Sequence, residues 1–173
     1  MTSKRCFFVV GSEGSGTYML AEALIAAGCE YIDTETDLRR ALMMPGRSDN
    51  VVIRRSIPHR GEFIDLYTVA SIANLAGYRI QAIAIFREPN ATCHSVYRRA
   101  KTKRNDVYEN MMGAMTCISE LSMGFSVLPI TYEAVVGSWN FRYWLFEKYC
   151  GLKYPEGYKF YDGNSKHYGM GGQ

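Results

Sequence analysis

Cys6-Phe7-Phe8-Val9-Val10-Gly11-Ser12-Glu13-Gly14-Ser15-Gly16-Thr17 decides how the rest of the chain is read. Five apolar residues in a row read as a buried strand, expected over residues 5–10. Beyond them, Leu20, Ala23, Leu24 and Ala27 recur at helical spacing, which predicts a helix from about Ser15 to a stop at Gly28. Strand, glycine loop and helix N-terminus together present backbone N–H groups and the positive end of a helix dipole to a phosphate-like group. The ATP-type loop, G-x-x-x-x-G-K-[ST], carries a lysine before its hydroxyl residue. Here Thr17 follows Gly16 directly, so the loop suits a phosphate-like group other than the one a kinase or ATPase holds.

Outward from this loop, strand and helix signals alternate. Glu30 to Ile32 reads as a short strand. Asp33 to Asp49 is polar, and Pro45-Gly46 breaks any helix there. Val51-Val52-Ile53 reads as a buried strand ended by Arg54-Arg55-Ser56-Ile57-Pro58-His59, and Phe63, Leu66, Tyr67, Ala70 and Ala73 mark a helix closed by Gly77. The apolar run Ile80 to Phe86 lacks alternation, as expected of a strand covered on both faces of a parallel sheet. Pro89 suits the first turn of the next helix. A further helix is expected over Val107 to Met123, a strand over Ser126 to Ile130, and a helix capped by Ser138 that ends at Cys150 before Gly151. The pattern predicts a three-layer α/β/α domain over residues 1–157 with a mainly parallel central sheet, like that of P-loop NTPases. Residues 158–173 form a glycine-rich polar tail, either frayed or laid over the nucleotide site. Ligands of such folds bind at the carboxyl ends of the strands, where Gly11 to Thr17, Arg54 to His59 and Arg87 all fall.

Composition bounds the function. The 173 residues are 47% hydrophobic and 21% charged, which fits one globular domain. A net charge of +3 is too mild for a nucleic-acid partner but compatible with a local basic pocket. No apolar run reaches the length of a membrane span. Lys4 and Arg5 precede only a short apolar strand, not a secretory pattern, and the five scattered cysteines show no metal-ligand spacing. These features predict a cytoplasmic protein with reduced thiols and no metal site.

A second cluster is Arg87-Glu88-Pro89-Asn90-Ala91-Thr92-Cys93-His94-Ser95. A guanidinium at a strand end and a hydroxyl two turns into the next helix either converge on one phosphate or serve separately, the arginine paired with a carboxylate. The two clusters together resemble the sulfotransferase family, whose donor is 3′-phosphoadenosine 5′-phosphosulfate. Its loop G-x-x-[RK]-S-G-T-[TS] is similar to Gly11 to Tyr18, and its arginine, proline and serine resemble Arg87, Pro89 and Ser95 in type and spacing. Ile130-Thr131-Tyr132-Glu133 is similar to the family's Y-E-D-L strand end, followed by a helix and the pair Gly151-Leu152.

The resemblance covers residues 5–152 and implies sulfuryl transfer to a hydroxyl or amine of a small-molecule or glycan acceptor. It places Ser12, Gly14, Ser15, Gly16 and Thr17 at the 5′-phosphosulfate and Arg87 and Ser95 at the 3′-phosphate. Lys166, in the tail, matches a basic segment over the nucleotide. Two departures stand out. Gly14 replaces a family cation, for which Arg54, Arg55 and Lys166 are the available substitutes. Ser56 replaces a histidine base, leaving His59, Glu13 and Glu35 as candidates for proton removal. Two other readings are a P-loop nucleotide kinase or NTPase, and a nucleotide-binding module of the same fold without turnover.

Smaller features divide the same way. The basic run Arg98, Arg99, Lys101, Lys103 and Arg104 is either a solvated helix end or a rim that attracts an anion. Met111, Met112, Met115, Ile118 and Leu121, and also Trp139, Tyr143 and Phe146, are expected in the core.

Overall fold

The computed structural model describes residues 4–33, 38–58, 61–100 and 103–164. Five strands, β1 (Arg5–Ser12), β2 (Glu30–Tyr31), β3 (Asn50–Ile57), β4 (Arg79–Phe86) and β5 (Val127–Thr131), form one sheet in the order β2-β3-β1-β4-β5. All four pairings are parallel. Because β1 lies at the centre, the loop that leaves it opens between the carboxyl ends of β3 and β4, where the direction of strand addition reverses.

Side-chain alternation along β1 builds two cores. Cys6, Phe8 and Val10 face α2 (Leu38–Met43), α3 (Leu66–Leu75) and α5 (Arg104–Ser122), which contribute Leu42, Leu66, Ala70, Ala114 and Leu121. Phe7 and Val9 face α1 (Thr17–Ala26), α6 (Tyr132–Gly137) and the π-helical segment Trp144–Cys150 that continues α7 (Trp139–Tyr143). A third, small cluster of Cys93, Val96 and Val107 joins α4 (Pro89–Ala100) to α5. The result is the expected three-layer α/β architecture. Burial raises the pKa of the Cys29 and Cys150 thiols to about 12, so both stay protonated and unreactive.

Several local expectations are corrected. β3 does not stop at Ile53 but continues through Arg54, Arg55 and Ser56 to Ile57, because the carboxyl end of a central strand alternates between the site and the core. The polar stretch before Pro45 contains the short helix α2, anchored by buried Leu38 and Leu42. Phe63 precedes α3 and is about half exposed, its ring seated against Gly113 of α5. Met112 and Met115 lie on the outer side of α5, at 64% and 52% exposure, while Ile118 and Leu121 are buried. Phe146 is buried, but Trp139 and Tyr143 stack on each other at the surface, with ring centroids 5.3 Å apart.

Asp65 caps α3. Its carboxylate accepts the Thr68 N–H at 3.0 Å and the Thr68 hydroxyl at 2.6 Å, and these bonds hold its pKa below the ordinary carboxylate value. A depressed native pKa means that the cap stabilises the fold above the carboxylate range and loses that contribution as pH falls through it. Asp65→Ala is expected to cost about 1 kcal/mol at neutral pH in urea unfolding, with the difference from wild type shrinking on acidification.

Candidate functional site

The glycine loop is held by its own backbone and by β3. Glu13 N–H donates to the Ile57 carbonyl at 3.1 Å and Ser15 N–H to the Ser12 carbonyl at 3.0 Å. The loop folds directly onto the strand end: a Cβ at Gly11 would stand 2.4 Å from the Ile85 carbonyl oxygen and 2.5 Å from Ser15 Oγ. Gly16, the N-cap of α1, has φ +104° and no side-chain cap, and a Cβ there would meet the Tyr132 ring at 2.5 Å. The first N–H groups of α1 have no intrahelical acceptors, so the helix presents donors and its positive dipole end to the loop. Ser12, Ser15 and Thr17 are buried, and Ser15 Oγ has no hydrogen-bond partner among the described residues.

β3 supplies the second wall. Arg54 and Ser56 share one face of the strand, and Arg55 turns to the other, where it is buried. The Thr17 and Ser56 hydroxyls share a hydrogen bond of 2.8 Å. Arg54 Nη1 donates to Ser56 Oγ at 3.4 Å, and its guanidinium lies 5.5 Å from the centroid of the Tyr18 ring. Arg54 is therefore a cation one hydroxyl removed from Thr17.

β4 supplies the third. Arg87, just beyond Phe86, donates from Nη1 to the Gly14 carbonyl at 3.0 Å and from Nε to Asn164 Oδ1 at 2.7 Å. Its guanidinium sits 4.5 Å from the centroid of the Tyr132 ring. Arg87 Nη2 is buried without a hydrogen-bond partner among the described residues. Asn164 is itself buried and donates to Glu133, which also accepts the Glu88 N–H. The Tyr132 hydroxyl accepts from Gly163 N–H at 2.7 Å and donates to the Tyr161 carbonyl at 2.8 Å. Tyr158 and Phe160 pack on the core beside α1, and the described part of the tail thus runs back over the end of β4.

The structure brings Gly14 and Arg87 into contact and places Thr17 beside Ser56. Glu13 stands at the junction of the loop with the end of β3. Ser95 lies partly buried in the middle of α4. His59, Glu35 and Lys166 fall outside the described residues. Neither Tyr132 and Asn164, which meet Arg87, nor Glu133, which binds Asn164, stands out from the sequence as part of this arrangement. For Tyr132 and Glu133 the signal was present in the strand-end segment Ile130 to Glu133, whereas Asn164 follows only from the path of the tail.

Comparison with known proteins bears on the fold. No protein-family model matches the sequence. No curated protein matches it. Among solved structures, a mouse sulfotransferase, SULT7A1, complexed with PAP, superposes with a TM-score of 0.56 and 17% identity over 86% of this chain. The match spans 58% of the length of that protein. The likeness establishes a sulfotransferase-like α/β fold, in agreement with the sheet order and the position of the glycine loop.

Gly16 carries a steric demand that Gly28 lacks. Both have positive φ, but a Cβ at Gly28 meets nothing within 4 Å. Gly28→Ala is expected to cost about 1 kcal/mol from backbone strain alone, and Gly16→Ala roughly 2–3 kcal/mol because Tyr132 must also move. Urea midpoints of the two variants measure the difference.

Proposed function

We propose that this chain binds 3′-phosphoadenosine 5′-phosphosulfate and transfers its sulfuryl group to a hydroxyl or amine of a small-molecule or glycan acceptor. The observation that carries the reading is that two buried donors lining the loop and the end of β4, Ser15 Oγ and Arg87 Nη2, have no hydrogen-bond partner among the described residues. Buried polar groups in native proteins are almost always hydrogen-bonded, and a guanidinium N–H is costly to leave unmade. Phosphate oxygens at the loop and at Arg87 satisfy both. The fold shared with a sulfotransferase that was solved with PAP supports the same assignment.

When bound, the donor supplies an activated sulfuryl group on a phosphate leaving group. The residues of this chain position and neutralise, as in phosphoryl transfer. The N–H groups of the loop and of the first turn of α1, with the Thr17 hydroxyl, hold the phosphate that departs with the electron pair of the broken S–O bond. Arg54 supplies through Ser56 the positive charge that Gly14 does not. Arg87 and Ser95 take the 3′-phosphate, with Lys166 from the tail. The acceptor proton goes to His59 or to Glu13, with Glu35 as the remaining carboxylate.

Calorimetry separates this reading from its rivals. Adenosine 3′,5′-bisphosphate is expected to bind and ATP–Mg²⁺ to bind weakly; the opposite preference points to a nucleotide kinase or NTPase. Arg87→Ala is expected to weaken bisphosphate binding by about 1.5–3 kcal/mol, the range for hydrogen bonds to a charged group. Unchanged affinity in a folded variant removes Arg87 from the site. Arg54→Ala is expected to lower turnover by 10-fold or more while bisphosphate affinity is largely kept, an order of magnitude typical of one lost transition-state contact. Bisphosphate binding without transfer to any acceptor identifies a module without turnover.

A further inference from the structure

A cavity of about 220 Å³ lies between α4 and α5, lined by Asn90, Cys93, His94, Tyr97 and Arg104. The apolar cluster of Cys93, Val96 and Val107, with Tyr108 and Met111 packed against it, holds these two helices together beside the cavity. Arg104 is set in position by neutral groups. Its Nη2 donates to Asn90 Oδ1 at 2.5 Å and to the Tyr108 hydroxyl at 3.3 Å, and its guanidinium lies 5.6 Å from the centroid of the Tyr108 ring.

Among the described residues no carboxylate forms an ion pair with Arg104; the ion pair found there joins Arg47 to Glu30. Glu88 is the acidic group whose field reaches Arg104, but its carboxylate is engaged with the N–H groups of Asn90 and Ala91 and with the Asn90 amide. Asp106 lies in the first turn of α5. Helix stability does not explain the arginine. Arg104 is the first residue of α5 and Lys103 its N-cap, without a side-chain cap bond, at the helix end where cations are disfavoured.

We propose that this cavity binds an oxyanion group of the acceptor, a carboxylate or a sulfate ester, with Arg104 as its charge partner, His94 beside it and Tyr97 as an aromatic wall. A guanidinium already fixed by Asn90 and Tyr108 loses little side-chain freedom on binding, and its planar donors match a two-oxygen anion. Asn90 lies in the first turn of α4, three residues beyond Arg87, which puts the cavity on the carboxyl edge of the sheet together with the glycine loop. The basic run noted in the sequence then has a purpose, since exposed Arg98 of α4 and Lys103, the N-cap of α5, raise the local concentration of an acidic acceptor. The assignment to the acceptor rests on the transferase reading; the oxyanion site does not.

The test is an NMR titration of the full chain at constant ionic strength with sodium sulfate, sodium glucuronate and, as a neutral control, glucose. Saturable shifts of the His94 ring and Arg104 side-chain signals are expected with sulfate and glucuronate and not with glucose. Arg104→Gln, with its amide spectrum confirming the fold, is expected to weaken both by about fivefold or more. Shifts that do not saturate, or that persist unchanged in Arg104→Gln, overturn the site. A response to inorganic sulfate without one to glucuronate overturns the acceptor assignment in favour of a free-anion site. Adenosine 3′,5′-bisphosphate added to the same sample reads the glycine loop, so failure there counts against the transferase reading and leaves the Arg104 result to be judged on its own.

Discussion

The Arg87 guanidinium joins segments that are far apart in sequence. From the end of β4 it reaches the Gly14 carbonyl of the first loop and Asn164 of the tail, and it stacks on Tyr132 at the start of α6. A lysine could not do this, because only a planar fork offers several directed donors and a face for the ring at once. The partners of Arg87 are themselves tied. Glu133 accepts from Asn164 and from the first N–H beyond Arg87, and the Tyr132 hydroxyl bridges Gly163 and Tyr161. Remove the guanidinium and the loop carbonyl, the buried Asn164 and the face of Tyr132 all lose a partner together. The donor that this arrangement leaves unmade, Nη2, is the reason to expect an oxyanion there.

The loop itself depends on two close approaches rather than on charge. Gly11 lets Ser15 fold onto the end of β1, and Gly16 lets Tyr132 close over the start of α1. No side chain can enter either space, so the site is lined by backbone donors and short hydroxyls. Gly14, at φ +85°, provides a left-handed turn but no cation. On the β3 side a cation, Arg54, arrives from the neighbouring strand and reaches Thr17 only through Ser56, while Arg87 meets the Gly14 carbonyl from β4. In the proposed reading, charge at the leaving phosphate is shared between a helix terminus and a residue of β3, instead of residing in the loop.

Much of the fold was legible in the sequence because parallel central strands are covered on both faces. The runs Cys6 to Val10 and Ile80 to Phe86 carry that signature, and the glycine loop and Pro89 mark where each strand gives way to a helix. The reading failed where one strand serves two environments. Arg54-Arg55-Ser56 looks like the end of β3 because its side chains are polar, yet it is strand, with alternate residues facing the site and the core. Trp139 and Tyr143 were expected in the core by spacing alone, but they rest against each other near the surface, where an aromatic ring is half covered without a core position. At the site, Gly14, Thr17 and Arg87 could be found because they sit in short local patterns. The contribution of Asn164 could not, since it depends on how the tail crosses the sheet, a long-range property with no local signal.

The central claim is that the glycine loop and Arg87 hold one ligand between them. Amide and arginine side-chain NMR of the full chain, titrated with adenosine 3′,5′-bisphosphate, tests it most directly. The account predicts that the amides of Gly14 to Thr17 and the Arg87 Nε–H shift together along one saturation curve, with Asn164 responding in step. Shifts confined to other surfaces, or an Arg87 signal that stays still while the loop saturates, would contradict it.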